Sequence, residues 1–217
     1  MAQIVVIGLG TFGSTVAREL TRNGHQVIGI DKNAALVAAL ADDLTQVVTA
    51  DATDQRVLDE LGVAACDAAL VAIGENIEAS ILATLLLKEL NIPKVWVKAK
   101  DAGHSRILER LAADRIVYPE YEVGLRVAQQ ILHEGLEDFV EFGAGNLVLE
   151  IAAPPYLWNK TIADMPDVRV LAQRRGDLLL RGTPHAGDRV IEGDHLLVLG
   201  ARSILDTFDL AAPRRRQ

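Results

Sequence analysis

A single cysteine, Cys66, in 217 residues excludes a disulfide framework, a zinc–cysteine cluster and an internal disulfide pair, and it suits a reducing compartment. Long apolar runs are missing too. No uninterrupted stretch approaches the length that crosses a bilayer. Residues 1–10 carry no basic segment and glycines cut their apolar run, so no signal peptide is expected and the chain is read as soluble and cytoplasmic. Several catalytic signatures are absent: no nucleophile elbow, no HExxH pair and no P-loop lysine motif. The five histidines, His25, His104, His133, His185 and His195, sit in no motif with a carboxylate partner and are expected as ordinary surface or turn residues. Positive charge is scarce. The formal net charge is −8, all of it before about residue 138, which argues against a nucleic-acid partner. The closing Arg214-Arg215-Arg216 reads as a solvated tail, residues 213–217.

Hydrophobic residues make up 50% of the chain, so a sizeable core is available for one large domain or a medium and a small one. Its organising stretch is Met1 to Asp31. Ile4-Val5-Val6-Ile7 runs into Gly8-Leu9-Gly10-Thr11-Phe12-Gly13, then an amphipathic run to Asn23, a second apolar run from Gln26 to Ile30, and Asp31. In such a strand–turn–helix the glycines serve separate ends. Gly8 permits the tight turn, Gly10 lets a phosphate approach the backbone, and Gly13 lets the helix pack close. The helix N-terminus offers unpaired N–H groups and partial positive charge to a phosphate. Val16, Ala17 and Leu20 supply its apolar stripe, and Gly24 closes it. Asp31 then stands where a ribose would lie and can accept from both ribose hydroxyls, which disfavours a 2′-phosphate; it can also serve as an N-cap for a helix from Asn33 to Leu40.

The alternation continues. Strands are predicted at Gln46–Val48, Ala69–Ile73, Val95–Val97 and Arg115–Val117, and helices at Gln55–Leu61 (capped by Thr53 or Asp54), from Gly74 onward, and at His104–Ala112. Ile77, Ile81, Leu82, Leu85 and Leu86 are predicted as the packing face of the helix after Gly74. This is the pattern of an α/β, Rossmann-like, doubly wound parallel sheet with helices on both faces. Asp51 follows the third strand and can reach an adenine edge or simply form a turn. Lys98 ends the fifth strand, where it can meet a phosphate or stay solvated. Glu120 follows Pro119 and suits the dipole of a helix over 121–134; as a hard carboxylate it can also share a divalent cation with a phosphate. After this helix come glycine-marked short strands at Leu147–Ala152, Val168–Ala172, Leu178–Leu180 and His195–Leu199, a helical turn near Thr161–Met165 and a closing helix Ser203–Leu210. The predicted domains are 1–136, including the long helix, and a small α+β lobe, 137–212.

Together Ile7 to Gly13, Ala72-Ile73-Gly74-Glu75-Asn76, Leu85 to Leu90, Val95 to Ala99 and Ala113 to Glu120 resemble the RCK-domain regulatory subunits of Ktr/Trk-type potassium transporters, the KtrA-like branch in particular. Asn159-Lys160-Thr161-Ile162 and Ile191-Glu192-Gly193-Asp194 are similar to the RCK C-terminal (TrkA-C-like) lobe. The resemblance implies a regulator rather than an enzyme, a homodimer assembled into an octameric ring, and a membrane-embedded partner of the KtrB/TrkH type at the inner face of the cell membrane. It implies ATP or ADP as ligand, with Gly8, Gly10, Thr11, Phe12, Gly13, Asp31, Lys32, Asn33, Asp51, Ala52, Ile73, Gly74, Lys98 and Glu120 as the contact set. Glu120 would place Mg2+ or Ca2+ at the γ-phosphate, and the helix over 121–134 would be the crossover and dimerising element. Two departures stand out. Thr11 replaces an arginine that many such sequences carry, leaving Glu120 and its metal to separate ATP from ADP. The segment from Met165 to Val170 is short, which argues against cyclic di-AMP, with Arg169 the residue left for a phosphate contact. The alternative reading is an NAD-dependent oxidoreductase or an NAD(H)-sensing module, although no acid/base residue is evident for hydride transfer.

Overall fold

The computed structural model describes residues 1–133, 135–141, 143, 145–165, 168–176, 178–179, 184–201 and 203. Two compact units emerge, Met1–Pro119 and Glu120–Gln217.

In the first unit, β1 (Gln3–Ile7), β2 (Gln26–Asp31), β3 (Gln46–Thr49), β4 (Ala68–Val71), β5 (Val95–Lys98) and β6 (Arg115–Val117) form one sheet in the order β3-β2-β1-β4-β5-β6. Every pairing is parallel. The connections are α1 (Thr11–Arg22), α2 (Ala34–Ala38), α3 (Gln55–Glu60), α4 (Ile77–Glu89) and α5 (Ala102–Arg110). Both sheet faces are covered: Val5, Ile7, Ile28, Ile30, Val71 and Val97 enter one apolar cluster, and Ile4, Val6, Val27 and Leu70 enter another. This is why the strands read as unbroken apolar runs rather than alternating ones. The chain winds outward from β1 through β2 to β3, then from β4 through β5 to β6. That reversal opens a crevice at the carboxyl ends of β1 and β4.

Helix α4 corrects the sequence reading in part: of the predicted face, Leu86 packs against the core and Leu82 and Leu85 do not. Its buried face is Ala79, Ser80, Ala83, Thr84 and Leu87, whereas Leu82 and Leu85 are 41% and 37% exposed. The helix is apolar around most of its circumference, so hydrophobicity marks no single face; the small side chains let it lie close to the sheet. His104 is a second correction. It is buried, its Nδ1 accepting the Lys100 N–H at 3.2 Å, and burial lowers its pKa. Cys66 is buried too, which pushes its thiol up to about 11, with Asp67 adding to the effect.

The second unit begins with α6 (Pro119–Leu132), none of whose described side chains is buried. Among the described residues five strands follow: β7 (Leu136–Glu141), β8 (Asn146–Ala152), β9 (Arg169–Arg175), β10 (Leu178–Leu179) and β11 (Asp194–Ala201). They form an antiparallel sheet in the order β10-β9-β11-β8-β7. Alternation along β8 and β11 sends Leu147, Leu149, Ile151, Leu196 and Val198 to one core face, with Met165 and Val190 packed there. β7 was not legible as a strand because Glu137, Asp138 and Glu141 interrupt its apolar residues; it is an edge strand, where acids are tolerated. The first motif singled out in this lobe meets the residue just before the second: the Asn159 N–H donates to the Val190 carbonyl at 2.7 Å and the Val190 N–H to the Lys160 carbonyl at 2.9 Å. Thr161 and Asp164 close a capping box at the turn Ile162–Asp164. Of the expected helix Ser203–Leu210 only Ser203 lies within the described residues, and Leu180 and the arginine tail lie outside them. Among the described residues no helix is long and apolar enough to cross a membrane.

Candidate nucleotide site

The crevice at the carboxyl edge of the first unit's sheet holds a cavity of about 370 Å3. Its wall is built from strand ends: Ile7 and Gly8 after β1, Ile30 to Asn33 after β2, Ala50 to Thr53 after β3, and Ala72 to Asn76 after β4, with Gly10, Leu36 and Ala79 completing it. Gly8, Gly10, Asp31, Lys32, Asn33, Asp51, Ala52, Ile73 and Gly74 of the sequence-derived set therefore share one wall.

The three glycines separate by geometry. Gly8 has a φ of +92°, and a Cβ there would stand 2.8 Å from the Ala72 carbonyl carbon. At Gly13 a Cβ would fall 1.9 Å from the Gly8 carbonyl oxygen, so α1 can lie against the turn only without a side chain. Nothing lies within 4 Å of a Cβ built on Gly10. The protein itself does not require glycine there, and a ligand approaching the backbone would. Gly10 caps α1 with no side-chain acceptor, and no acid occupies the helix's first turn, leaving its positive end to an anion.

Asp31 is held from both sides. The Leu9 N–H donates to Oδ2 at 2.7 Å and the Asn33 N–H to Oδ1 at 2.8 Å. Its carboxylate thus ties the glycine turn to the end of β2 and keeps further lone pairs for a ribose. The capping role weighed for Asp31 belongs to Asn33, whose Oδ1 accepts the Ala35 N–H at 2.9 Å. Asp51 accepts from the Thr53 hydroxyl at 2.7 Å and N–H at 3.0 Å, and pairs with Lys32 Nζ at 2.9 Å. The Thr53 hydroxyl, then Lys32, overcome partial desolvation and hold the Asp51 carboxyl down at about 2. It is ionised throughout the physiological range.

Thr11, Phe12, Gly13 and Lys98 lie beside the cavity rather than on its wall. Lys98 Nζ sits 5.8 Å from the centre of the Phe12 ring, and a Cβ on Gly74 would be 3.7 Å from the same nitrogen. Glu120 belongs to the second unit, in the first turn of α6 with Glu122. Sequence reasoning missed Thr53, Glu75 and Asn76 as wall residues. Asn76 was legible as a cap, its Oδ1 accepting the Ala79 N–H at 2.9 Å, and Thr53 as the partner of an aspartate two residues earlier.

A strand order of this kind, with a glycine-lined crevice at its reversal and an acid ending β2, defines a nucleotide-binding fold of the Rossmann class. The model of the TrkA-N domain matches residues 4–119. Similar proteins include the Ktr system potassium uptake protein A of Bacillus subtilis (strain 168), 38% identical over 214 residues and 95% of each chain, and that of Vibrio alginolyticus, 35% identical over 208 residues and 94% of each. The Ktr system potassium uptake protein C of B. subtilis is 34% identical over 213 residues, 95% of this chain and 96% of the other. The chain belongs to the Ktr/Trk family, in its KtrA-like branch of RCK-domain regulatory subunits, which are regulators and not enzymes. Among solved structures, the GsuK RCK domain superposes with a TM-score of 0.68 at 19% identity over 98% of this chain, and the GsuK channel bound to NAD with 0.67 at 19% over 98%. This chain spans 48% and 40% of those two chains, and the likeness establishes a shared fold.

Proposed function

We propose that this chain is a cytoplasmic, nucleotide-sensing regulatory subunit of a potassium-uptake transporter, held at the inner face of the membrane by a membrane-embedded KtrB/TrkH-like partner. The reading rests on one observation above others: an open cavity whose wall combines a glycine turn at a helix N-terminus with two carboxylates, Asp31 and Asp51. The glycine turn suits the phosphates, Asp31 the ribose and Asp51 with Gly74 the adenine side. ATP and ADP are the proposed ligands, as the family resemblance implies. Control follows from population shift: a nucleotide biases ion flux by the difference in its affinity for two ring states. The proposed assembly is a homodimer built into an octameric ring, with α6 as its dimerising helix. The unburied Tyr121, Val123, Val127 and Ile131 on α6 support that role.

Glu120 is proposed to hold Mg2+ or Ca2+ with the ATP phosphates; a divalent ion there would offset the charge of the γ-phosphate, which the uncharged Thr11 cannot do. The proposed functional division runs 1–136 and 137–212, with α6, which packs as part of the second compact unit, proposed as the crossover that joins the lobes. NAD(H) is the alternative ligand, since Asp31 would serve its ribose equally and the solved GsuK channel was bound to NAD.

Calorimetric titration of the full chain with ATP, ADP and NADH, each with and without Mg2+, tests the reading. Adenine nucleotides should bind more tightly than NADH, Mg2+ should tighten ATP specifically, and Glu120→Gln should weaken ATP more than ADP. A preference for NADH overturns the ATP/ADP assignment, and equal effects of Glu120→Gln on both nucleotides remove the metal from Glu120.

A further inference from the structure

The outer face of the second unit's sheet gathers three metal-ligating side chains that the nucleotide site does not use. Glu137 comes from β7, Glu150 from β8 and His195 from β11, three adjacent strands. Each offers one ligand atom, and the three atoms lie within 4.8 Å of one another. The fold explains the convergence. Alternation that sends Leu149, Ile151 and Leu196 to the core sends Glu150 and His195 to the opposite face. A register shift between Leu136 and Asp138 makes Glu137 an extra residue in the β7–β8 ladder, and such a bulge re-aims its side chain. Arg174 is paired directly with His195 across the β9–β11 ladder.

The polar groups are not satisfied among themselves. His195 Nδ1 lies 2.9 Å from Glu137 Oε1. That nitrogen is nonetheless buried and makes no hydrogen bond. The other Glu137 oxygen, Oε2, meets Arg174 Nη2 at 3.3 Å, and the same nitrogen meets Glu150 Oε1 at 3.2 Å. Two carboxylates share one guanidinium nitrogen, and the His195 Nδ1 that faces them takes no hydrogen bond. A hollow of about 220 Å3 opens beside them, lined by Glu150, Ala172, Arg174, His195, Leu196 and Leu197.

We propose that Glu137, Glu150 and His195 bind one zinc-class divalent cation on this face. The donor set selects the metal: imidazole with two carboxylates suits Zn2+ or Co2+, whereas Mg2+ and Ca2+ take oxygen ligands. Bonds of about 2.0–2.2 Å at tetrahedral angles place neighbouring ligand atoms about 3.3 Å apart, so the three need close by no more than about 1.5 Å, within reach of side-chain rotation. The hollow leaves the fourth position to water. Arg174, on the far oxygen of Glu137, keeps that carboxylate oriented as outer-sphere partners do.

The test uses full-length, chelator-treated, nucleotide-free protein. Co2+ titrated into it should saturate at one ion per chain with visible d–d absorption. Zn2+ should displace it, and equal concentrations of Mg2+ or Ca2+ should not. His195→Gln and Glu150→Gln should each weaken binding by about tenfold or more, and Glu192→Gln, an exposed acid elsewhere in the lobe, should not. Absence of a saturable site, displacement by Ca2+ as readily as by Zn2+, or unchanged affinity in His195→Gln overturns the proposal. Nitrogen-15 spectra of wild-type protein keep the test decisive if a variant fails to fold: Zn2+ should shift the His195 Nδ1 resonance, and an unmoved resonance counts equally against the site.

Discussion

The two units treat their carboxylates differently. At the parallel sheet, Asp31 and Asp51 stand on a cavity wall, Asp31 held by the Leu9 and Asn33 N–H groups and Asp51 by Thr53 and Lys32, with acceptor capacity left over. In the antiparallel sheet, Asp194 is fully buried and its partners converge on it: Arg175 Nε on Oδ1 at 2.7 Å, and Gln173 Nε2 and the Ile191 N–H on Oδ2 at 2.6 and 2.9 Å. Burial by itself would raise the Asp194 pKa, and these donors more than reverse it. The first arrangement leaves charge available to a ligand; the second spends it on holding strands β9 and β11 together. The same residue type thus keeps acceptor capacity open in one unit and ties strands together in the other, according to how many donors the fold aims at it.

The contrast can be broken most forcefully at Asp194. Asp194→Ala leaves Arg175 and Gln173 without their acceptor and should destabilise the second unit by about 2–4 kcal/mol. Amide exchange should accelerate across β8, β9 and β11 and stay unchanged in β1 to β6; an equal rise in both units would deny Asp194 its local role. The sign with pH follows from the depressed pKa. The contribution of Asp194 is complete above the ordinary carboxylate range and is lost as pH falls through its lower folded value.

Gly13→Ala comes next, because its Cβ would lie 1.9 Å from the Gly8 carbonyl oxygen. Displacing α1 from the glycine turn should destabilise the first unit by about 1–3 kcal/mol and abolish nucleotide binding. Retention of wild-type affinity would show that the turn does not carry the phosphates. The finest distinction is at Asp31. Asp31→Ala should weaken adenine-nucleotide binding by about ten- to a hundredfold, the equivalent of about 1.5–3 kcal/mol for charged hydrogen bonds. Calorimetry that found no change would move Asp31 into the purely architectural group with Asp194.

Much of the first unit was legible because its signals are local. A strand, a glycine turn, a helix and an acid follow one another within Met1–Asp31, and the backbone needs at Gly8 and Gly13 can be read from spacing. The packing face of α4 was not legible, since leucines and small residues both fit helical spacing and only the distance to the sheet selects Ala79, Ala83 and Leu87. His104 looked like a surface residue because nothing local marks its burial. β7 escaped notice because acids break its pattern, yet its bulge turns Glu137 toward residues 13 and 58 positions away in sequence, Glu150 and His195.

By itself, then, the sequence determined the parallel fold, the place of its crevice and the membership of the chain in the Ktr/Trk family, for these depend on short runs whose backbone requirements are met within a few residues. Tertiary structure alone decided which helix face is covered, which carboxylate is left open to a ligand and which is closed by Arg175, and which acids come to stand beside His195. Those outcomes depend on side chains from strands distant in the chain, and only the register of the sheet brings them within reach of one another.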